Sequence, residues 1–232
     1  PSILGGFQCN DFLLLDGKND TLIYIEKFKI QTYNYSFNHF NKVYIQDLVL
    51  NCNYKDSISD SNIFKVFEPF LISEGKSKPL IIDNLWVNNA SLDISNTKEL
   101  KSFRELNLYL KECLLSDDID FVMSNLDFEV VDGAHHQFDV ARVLFSPNKN
   151  VINKFNWKSG NSILRFDLMQ NLLSKQGQLK INDFKVDHYA FKGLFEWPED
   201  LRLNTNAIIE TLEDTLWAEN AIISTDNESL FN

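Results

Sequence analysis

The chain has 232 residues and 44% of them are hydrophobic, which is enough for a sizeable core and excludes an intrinsically disordered chain. Its formal net charge of -11 repels phosphate backbones, so nucleic acid is not an expected partner. No stretch approaches the roughly 18 consecutive apolar residues that a membrane-spanning helix needs, and none is predicted.

A short phrase recurs along the chain and consists of two polar residues followed by an apolar, polar, apolar triplet. Its copies begin at Glu26, Gln46, Asp83, Arg104, Ser124 and Asn182. The alternation within each copy is the period-2 signal of a strand buried on one face. Most intervals are about 20 residues, which predicts one stacked unit of two strands per step.

Two intervals between copies are longer than the others. The gap from Leu48 to Leu85 is nearly two steps and predicts an insertion or a missing copy. The gap from Leu126 to Phe184 is close to three steps. Together with the other copies, these spacings predict a long antiparallel meander with one apolar face.

Apolar or alternating stretches between turn-forming residues predict the individual strands. Those stretches are 12–15, 22–33, 43–54, 80–94, 103–115, 121–131, 137–145, 151–157, 163–168, 179–186, 189–197, 201–211 and 216–224. The stretch at 80–94 has a possible break at Asn88 and Asn89. The segment 212–220 also fits a short helix, and the sequence leaves that alternative open.

One segment has helical spacing instead of strand spacing. Its apolar residues fall on a single helical face, which predicts a short helix near 62–71 with Ser61 as its N-cap. A polar linker at 73–78 is the one soft boundary in what is otherwise a single segment, 1–232. Because the chain opens at Pro1 in strand-like sequence, we expect it to be an excerpt of a longer protein or a processed chain.

Motifs that carry chemistry are absent from the sequence. There is no GxSxG nucleophile elbow, no phosphate-binding glycine loop and no HExxH metal motif. We therefore expect no enzyme, no catalytic residues and no cofactor. His135 and His136 follow Asp132-Gly133, so an exposed turn is the expected setting and no metal site is assigned to them.

The three cysteines, Cys9, Cys52 and Cys113, are widely spaced and odd in number. No CxxC pair is present, which argues against a zinc site and a disulfide framework and favours small apolar fillers in strands. Trp86 occupies a polar position of its phrase. It is expected either on the outer face of the sheet or under the predicted helix, and a sugar-binding platform remains open for it.

Three stretches in order resemble a known family. They are Phe12 to Leu15 with Asp16 and the following 19–24, then the strand at 43–50, then 79–85 after the predicted helix and linker. Their residues and order resemble the amino-terminal periplasmic part of TamB in the AsmA-like family, in the form found in Bacteroidota. The stretch from Asn125 to Ser146 continues the likeness.

The resemblance implies an all-β, elongated antiparallel meander that forms an open, taco-like groove. It implies a periplasmic segment whose groove carries phospholipid acyl chains between the inner and outer membranes and supports outer-membrane biogenesis. The implied partners are those acyl chains and an outer-membrane barrel of the Omp85 type, TamA-like. It also implies attachment to the inner membrane through an anchor that is not present in this chain.

The residues predicted to line the groove are the apolar members of the phrase. They are Phe28, Ile30, Leu48, Leu50, Leu85, Val87, Leu106, Leu108, Leu126, Phe128, Phe184 and Val186. Their polar neighbours are expected to face water, as for Lys27, Lys29, Asn107, Asp127 and Lys185.

Two other hypotheses compete with the lipid groove. In a closed β-sandwich or barrel, acting as a binding module or adhesin for carbohydrate or protein, the same residues pack sheet on sheet. Trp86 or Trp197 would then be exposed ligand platforms. In a scaffold for barrel assembly, exposed edge strands pair with a client, and this role is compatible with the groove.

Overall fold

The computed structural model describes residues 5–32, 38–55, 60–63, 65, 79–96, 98–194, 203–212 and 215–219. Within them the chain is all-β, and its twelve strands lie in one sheet in their sequence order. The strands are β1 Gly6–Leu15, β2 Thr21–Thr32, β3 His39–Asn53, β4 Leu80–Ser95, β5 Leu100–Leu115, β6 Ile119–Val130, β7 His135–Phe145, β8 Lys149–Ser159, β9 Ser162–Asn171, β10 Gln176–Val186, β11 Leu203–Leu212 and β12 Thr215–Glu219.

The sheet is open and almost entirely antiparallel. Among the described strands, only β3 and β4 pair in parallel, and the segment that joins them is the insertion expected between Leu48 and Leu85. β1 and β12 form the two edges, and each strand makes its main contacts with its neighbours in the sheet. The alternative of a closed β-sandwich is therefore wrong for the described part of the chain, because no second sheet covers the first.

The strands are longer than the spacing of the phrase suggested. Leu85, Leu106 and Leu126 lie in β4, β5 and β6, so each step of the phrase holds one strand and its turn. The expectation of two strands per step is wrong, because strands of 10 to 16 residues replace the average of about 5–6. The longer gap to Phe184 contains four steps, from β6 to β10, because these later strands are shorter.

Three local predictions have different outcomes. The helix predicted near 62–71 lies largely outside the described residues, as does the soft boundary at 73–78. At its start, the Lys65 backbone N–H donates to the Ser61 carbonyl oxygen at 3.1 Å. The strand predicted at 189–197 is wrong at its beginning, because His188–Phe191 forms a 3-10 helix. The helix alternative at 212–220 is also wrong, since β12 is a strand.

Pairs of polar residues inside the strands, some of them belonging to the phrase, mark places where the strand alternation shifts by one residue. Leu110 and Cys113 pack in the same apolar cluster although they are three residues apart, a spacing that puts side chains on opposite faces of a regular strand. Between them, Glu112 has a φ of 53°, in the left-handed region. The extra residue forms a β-bulge and returns the next apolar side chain to the same face.

The same device recurs in neighbouring strands. Asp47 has a φ of 52°, Asn89 of 53° and Glu105 of 51°, and each directly precedes an apolar residue. Asn and Asp tolerate this conformation better than most residues, which explains part of their abundance here. The bulges keep one face of every long strand apolar without strict alternation along its whole length.

Candidate functional site: the apolar inner face

One face of the sheet, called the inner face below, is apolar across most of its width. A single row of cross-strand partners runs through β2 to β10. Its members are Phe28, Ile45, Val87, Leu108, Leu126, Phe138, Trp157, Leu164 and Phe184. Because directly paired residues project to the same side of a sheet, this row is one continuous apolar band.

A second row follows the first, one pleat away. It contains Ile30, Val43, Leu85, Leu110, Met123 and Val140. Beyond the bulges, a third row joins Ile23, Leu50, Leu92, Phe103 and Val130. The ring centroid of Phe103 lies 5.4 Å from that of Phe128. Phe128 is two residues after Leu126 in β6 and therefore projects from the same face as Leu126. The third row therefore belongs to the same surface as the first.

The structure places all twelve residues predicted to line a groove on this inner face. Val87 and Val186 are buried, and the other ten are half-buried. The prediction missed the aromatic members in β7 and β8, Phe138, Phe155 and Trp157. A signal for two of them was present, because Asn153-Lys154-Phe155-Asn156-Trp157 is another copy of the phrase with Trp in place of an aliphatic residue.

The opposite, outer face carries the polar side chains. Asn107 donates to Asp127 at 3.0 Å, and Arg142 pairs with Asp120 at 2.6 Å. Trp86 also lies on this face, where it stacks on Tyr109 at 4.9 Å between ring centroids. The two faces therefore differ sharply in chemistry, as expected for a sheet with one face in water.

The pKa of Asp93 on the outer face is shifted by its surroundings. Burial acts to raise the pKa, but hydrogen bonds from Arg104 and Ser102 outweigh it and hold the pKa below its usual value. The Arg104 guanidinium lies 2.7 Å from the carboxylate of Asp93.

In the half of the sheet formed by β1–β5, no described segment covers the inner face. Val43, Ile82 and Cys113 form a small buried cluster surrounded by half-buried aliphatic and aromatic side chains. Phe7 on the edge strand is 57% exposed although it faces the same side as its partner Ile30. A row of exposed apolar side chains is typical of a surface that binds a partner or a ligand.

The apolar face reaches the rim of the sheet where β5 meets β6. Leu115, Ile119 and Phe145 are successive cross-strand partners on neighbouring strands. Each of these three side chains is about 40% exposed. The band therefore runs out to the end of the sheet without a polar border at this point.

The opposite end of β6–β10 is covered by residues 187–194, called the covering segment below. Phe191 stacks on Trp157 at 5.8 Å, and Ala190 is fully buried. Asp187 caps the 3-10 helix by accepting a hydrogen bond from the Tyr189 backbone N–H at 3.1 Å. The covering segment buries Trp157 and Val186 in a second apolar cluster.

Two glycines let the covering segment approach the sheet closely. Gly193 has a φ of +80°, and a Cβ there would lie 2.9 Å from Val130 Cγ1. A Cβ on Gly133 would collide with the carbonyl oxygen of Lys192. Backbone therefore packs on backbone at the turn between β6 and β7, where no side chain fits.

His136 contradicts the prediction of an exposed histidine turn. His135 is exposed, but His136 is only 1% exposed within β7 and accepts a hydrogen bond from Trp157 Nε1 at 3.1 Å. Burial, and then electrostatic repulsion from His135, lowers the pKa of His136 and so favours its neutral form. Its Nε2 atom has no hydrogen-bond partner among the described residues.

The potential metal ligands of the chain do not converge. In the described residues, no group of three or more His, Cys, Asp or Glu side chains is placed to hold a metal ion. The three cysteines are free thiols, and Cys113 is buried, which raises its pKa to about 11. Cys9 faces the inner side as the partner of Phe28.

Comparison with known proteins adds no assignment to this geometry. A scan against protein-family models finds no match, and a search of the curated proteins finds no related sequence. Among the described residues, no helix has the length and apolar character needed to cross a membrane. The role of the inner face therefore has to be argued from its own shape and chemistry.

Proposed function

We propose that this chain is a non-enzymatic segment of a TamB/AsmA-like periplasmic protein, and that its inner face carries phospholipid acyl chains. The observation that supports this function is a continuous apolar row across β2–β10 on an open sheet with a polar outer face. A surface of this kind needs an apolar partner, and acyl chains provide one without any specific polar contact.

The energetics are compatible with a lipid tail as the occupant of the inner face over β1–β5. Each CH₂ group that leaves water contributes about 0.8 kcal/mol, so a chain sliding along the rows exchanges equivalent contacts at each step. The rows contain no charged side chain that would interrupt this path. The same absence of polar anchors favours movement over tight, specific binding.

The wider role rests on the resemblance of the sequence. In the proposal, the full protein is attached to the inner membrane by an anchor outside this chain and delivers lipid to a TamA-like barrel of the Omp85 type. The chain then contributes a segment of the bridge between the two membranes and supports outer-membrane biogenesis. No catalytic residue is required for this passive role.

A pair of adjacent positions tests the proposal directly. A photoreactive amino acid at Leu108 faces the inner side, and the same amino acid at Asn107 faces the outer side. After irradiation in cells, phospholipid adducts are expected at Leu108 and at Phe128, and not at Asn107. Equal adduct formation at Leu108 and Asn107, or none at either inner position, would reject the lipid path.

The cysteines give an independent readout of the same surface. Cys9 is half-buried and faces the inner side, whereas Cys113 is buried with a pKa raised to about 11. An apolar maleimide should modify Cys9 and leave Cys113 unmodified, and phospholipid vesicles should slow the reaction at Cys9. Labelling at Cys9 that is indifferent to phospholipid would contradict acyl-chain binding near β1.

A further inference from the structure

The outer face contains a pocket that the lipid path does not use. The pocket lies over β1–β4 and has a volume of about 390 Å³. This volume is within the range of roughly 300–1,000 Å³ that is usual for small-molecule sites. Its lining residues are Gln8, Lys27, Lys29, Gln31, Lys42, Tyr44 and Trp86. Because the sheet separates it from the inner face, acyl chains on that face do not reach it.

The charge of the pocket is opposite to that of the chain. Three lysines, Lys27, Lys29 and Lys42, line it in a protein whose formal net charge is -11. None of them has a salt bridge to an acidic side chain in the described residues. Glu26 interacts electrostatically with Lys27, but the hydrogen bond between the carboxyl groups of Glu26 and Asp47 has the larger effect and raises the pKa of Glu26. A local excess of positive charge attracts an anionic group.

The aromatic side chains of the pocket add a flat apolar wall. Trp86 and Tyr44 are neighbours in register on β4 and β3. Trp86 stacks on Tyr109 on the side away from β3, so its ring contributes to the pocket on the other side. The face of an indole ring carries a partial negative charge and packs well against the C–H groups of a sugar ring.

The remaining lining groups complete a mixed polar and apolar surface. Gln8 and Gln31 each bring a side-chain amide, which both donates and accepts hydrogen bonds. Hydroxyl groups of a sugar match such amides, and a carboxylate or phosphate matches the lysines. A simple inorganic anion would leave the aromatic wall unused.

We propose that this pocket binds an anionic saccharide, with its ring against Trp86 and its carboxylate or phosphate between Lys29 and Lys42. Lys27 and the two glutamines then contact the ring hydroxyls and the anion from β1 and β2. The site is separate from the inner face, so its failure leaves the lipid proposal intact and the reverse also holds.

The test uses isothermal titration calorimetry and amide chemical shifts with two probes, glucose 6-phosphate and glucuronate. Both are expected to bind and to shift the resonances of β2–β4. The double variant Lys29→Gln, Lys42→Gln should weaken binding at least about tenfold, since each charge-assisted hydrogen bond contributes strongly. The matched control is Lys180→Gln with Lys185→Gln, two exposed outer-face lysines on β10, and it should bind as the native chain does.

Four outcomes would overturn the proposal. Neutral glucose binding as tightly as glucose 6-phosphate would remove the anionic requirement. Inorganic phosphate matching the affinity of glucose 6-phosphate, or AMP exceeding it, would remove the saccharide. Unchanged binding in the Lys29 and Lys42 double variant would place the site elsewhere. Lipid crosslinking at Leu108 should be unchanged in that variant, which separates the two proposals.

Discussion

The two halves of the sheet treat the same apolar face differently. In β1–β5 the cluster around Val43 and Ile82 is small and no described segment covers it. In β6–β10 the covering segment, 187–194, packs over the cluster around Trp157 and Val186. Among the described residues, one part of the apolar face is therefore covered by the chain itself and the other part is not.

The difference in covering between the two parts indicates which residues stabilise the fold and which are free to contact a ligand. The covered half contains the aromatic stack of Phe128, His136 and Trp157, with backbone packing at Gly133 and Gly193. β1–β5, which no described segment covers and which is called the uncovered half below, has its main contacts between neighbouring strands and contains both buried and partly exposed apolar side chains. We expect substitutions in the covered half to affect folding strongly, and substitutions in the uncovered half to affect lipid contact more than stability.

The largest expected effect is that of Trp157→Ala. Trp157 is 6% exposed and packs on Phe191 and His136, so its removal leaves a cavity under the covering segment. We expect a loss of about 3–5 kcal/mol in the free energy of unfolding, measured with urea. Phe7→Ala, at a residue 57% exposed, should cost roughly 1 kcal/mol or less. Equal losses in the two variants would remove the distinction between the halves.

The next effect concerns the contact that holds the covering segment down. Gly133→Ala introduces a Cβ that collides with the Lys192 carbonyl oxygen, so the segment must move away from the sheet. We expect a cost of about 2 kcal/mol in urea unfolding. Gly17→Ala is the matched control, because a Cβ there meets nothing within 4 Å. A neutral Gly133→Ala would show that the segment does not need this close approach.

The third prediction concerns pH and His136. An unfolded histidine titrates near 6.5, whereas burial lowers the pKa of His136 in the folded chain. Below about pH 6.5 the unfolded state therefore binds a proton that the folded state does not, and stability falls as the pH falls. Between about pH 7 and pH 5, the free energy of unfolding should fall more in the native chain than in the variant His136→Gln.

The exposed neighbour His135 provides the control for that pH dependence. His135→Gln should retain most of the extra acid destabilisation of the native chain, because burial, the larger cause of the lowered pKa of His136, is unchanged. Urea unfolding at the two pH values measures both variants. An identical pH dependence in His136→Gln and the native chain would contradict the assignment to His136.

The smallest effect is expected on the outer face. Arg142 makes two hydrogen bonds to Asp120 but is about half exposed, so solvent screens the pair. Arg142→Gln should cost roughly 0.2–1 kcal/mol, and the cost should shrink in about 0.5 M salt. Lys158→Gln, an exposed outer-face change outside any described salt bridge, should be neutral in the same unfolding assay. A cost comparable to that of Trp157→Ala would mean that the outer face also carries the fold.

Much of the sheet was predictable because alternation is a local property. The alternation of Leu106, Leu108 and Leu110 with polar residues predicts the strand at 103–115, and β5 contains this range. The prediction of a strand at 189–197 failed because Tyr189 and Phe191 alternate as in a strand, whereas Phe191 packs on Trp157 and Tyr189 lies beside Gly160 in the turn after β8. Alternation reports which side chains are apolar, and it does not report which distant element buries them.

The inner face shows the same division between local and distant information. The phrase places Phe28, Leu108 and Phe184 on one face because its bulges are built from adjacent polar residues. The burial of His136 could not be inferred, because the neighbouring Asp132-Gly133 turn indicates exposure in the sequence. Trp157 from the next strand and Phe128 from the preceding strand enclose it, and Phe191 of the covering segment packs on Trp157.

An all-β chain with one apolar face, and the residues that form this face, could be predicted from the sequence, because the alternation of side chains is a property of consecutive residues. The open sheet, the parallel pairing of β3 with β4 and the covering of one end of β6–β10 by residues 187–194 are seen only in the folded structure. These features depend on contacts between residues far apart in the chain, whose free energies no local pattern contains.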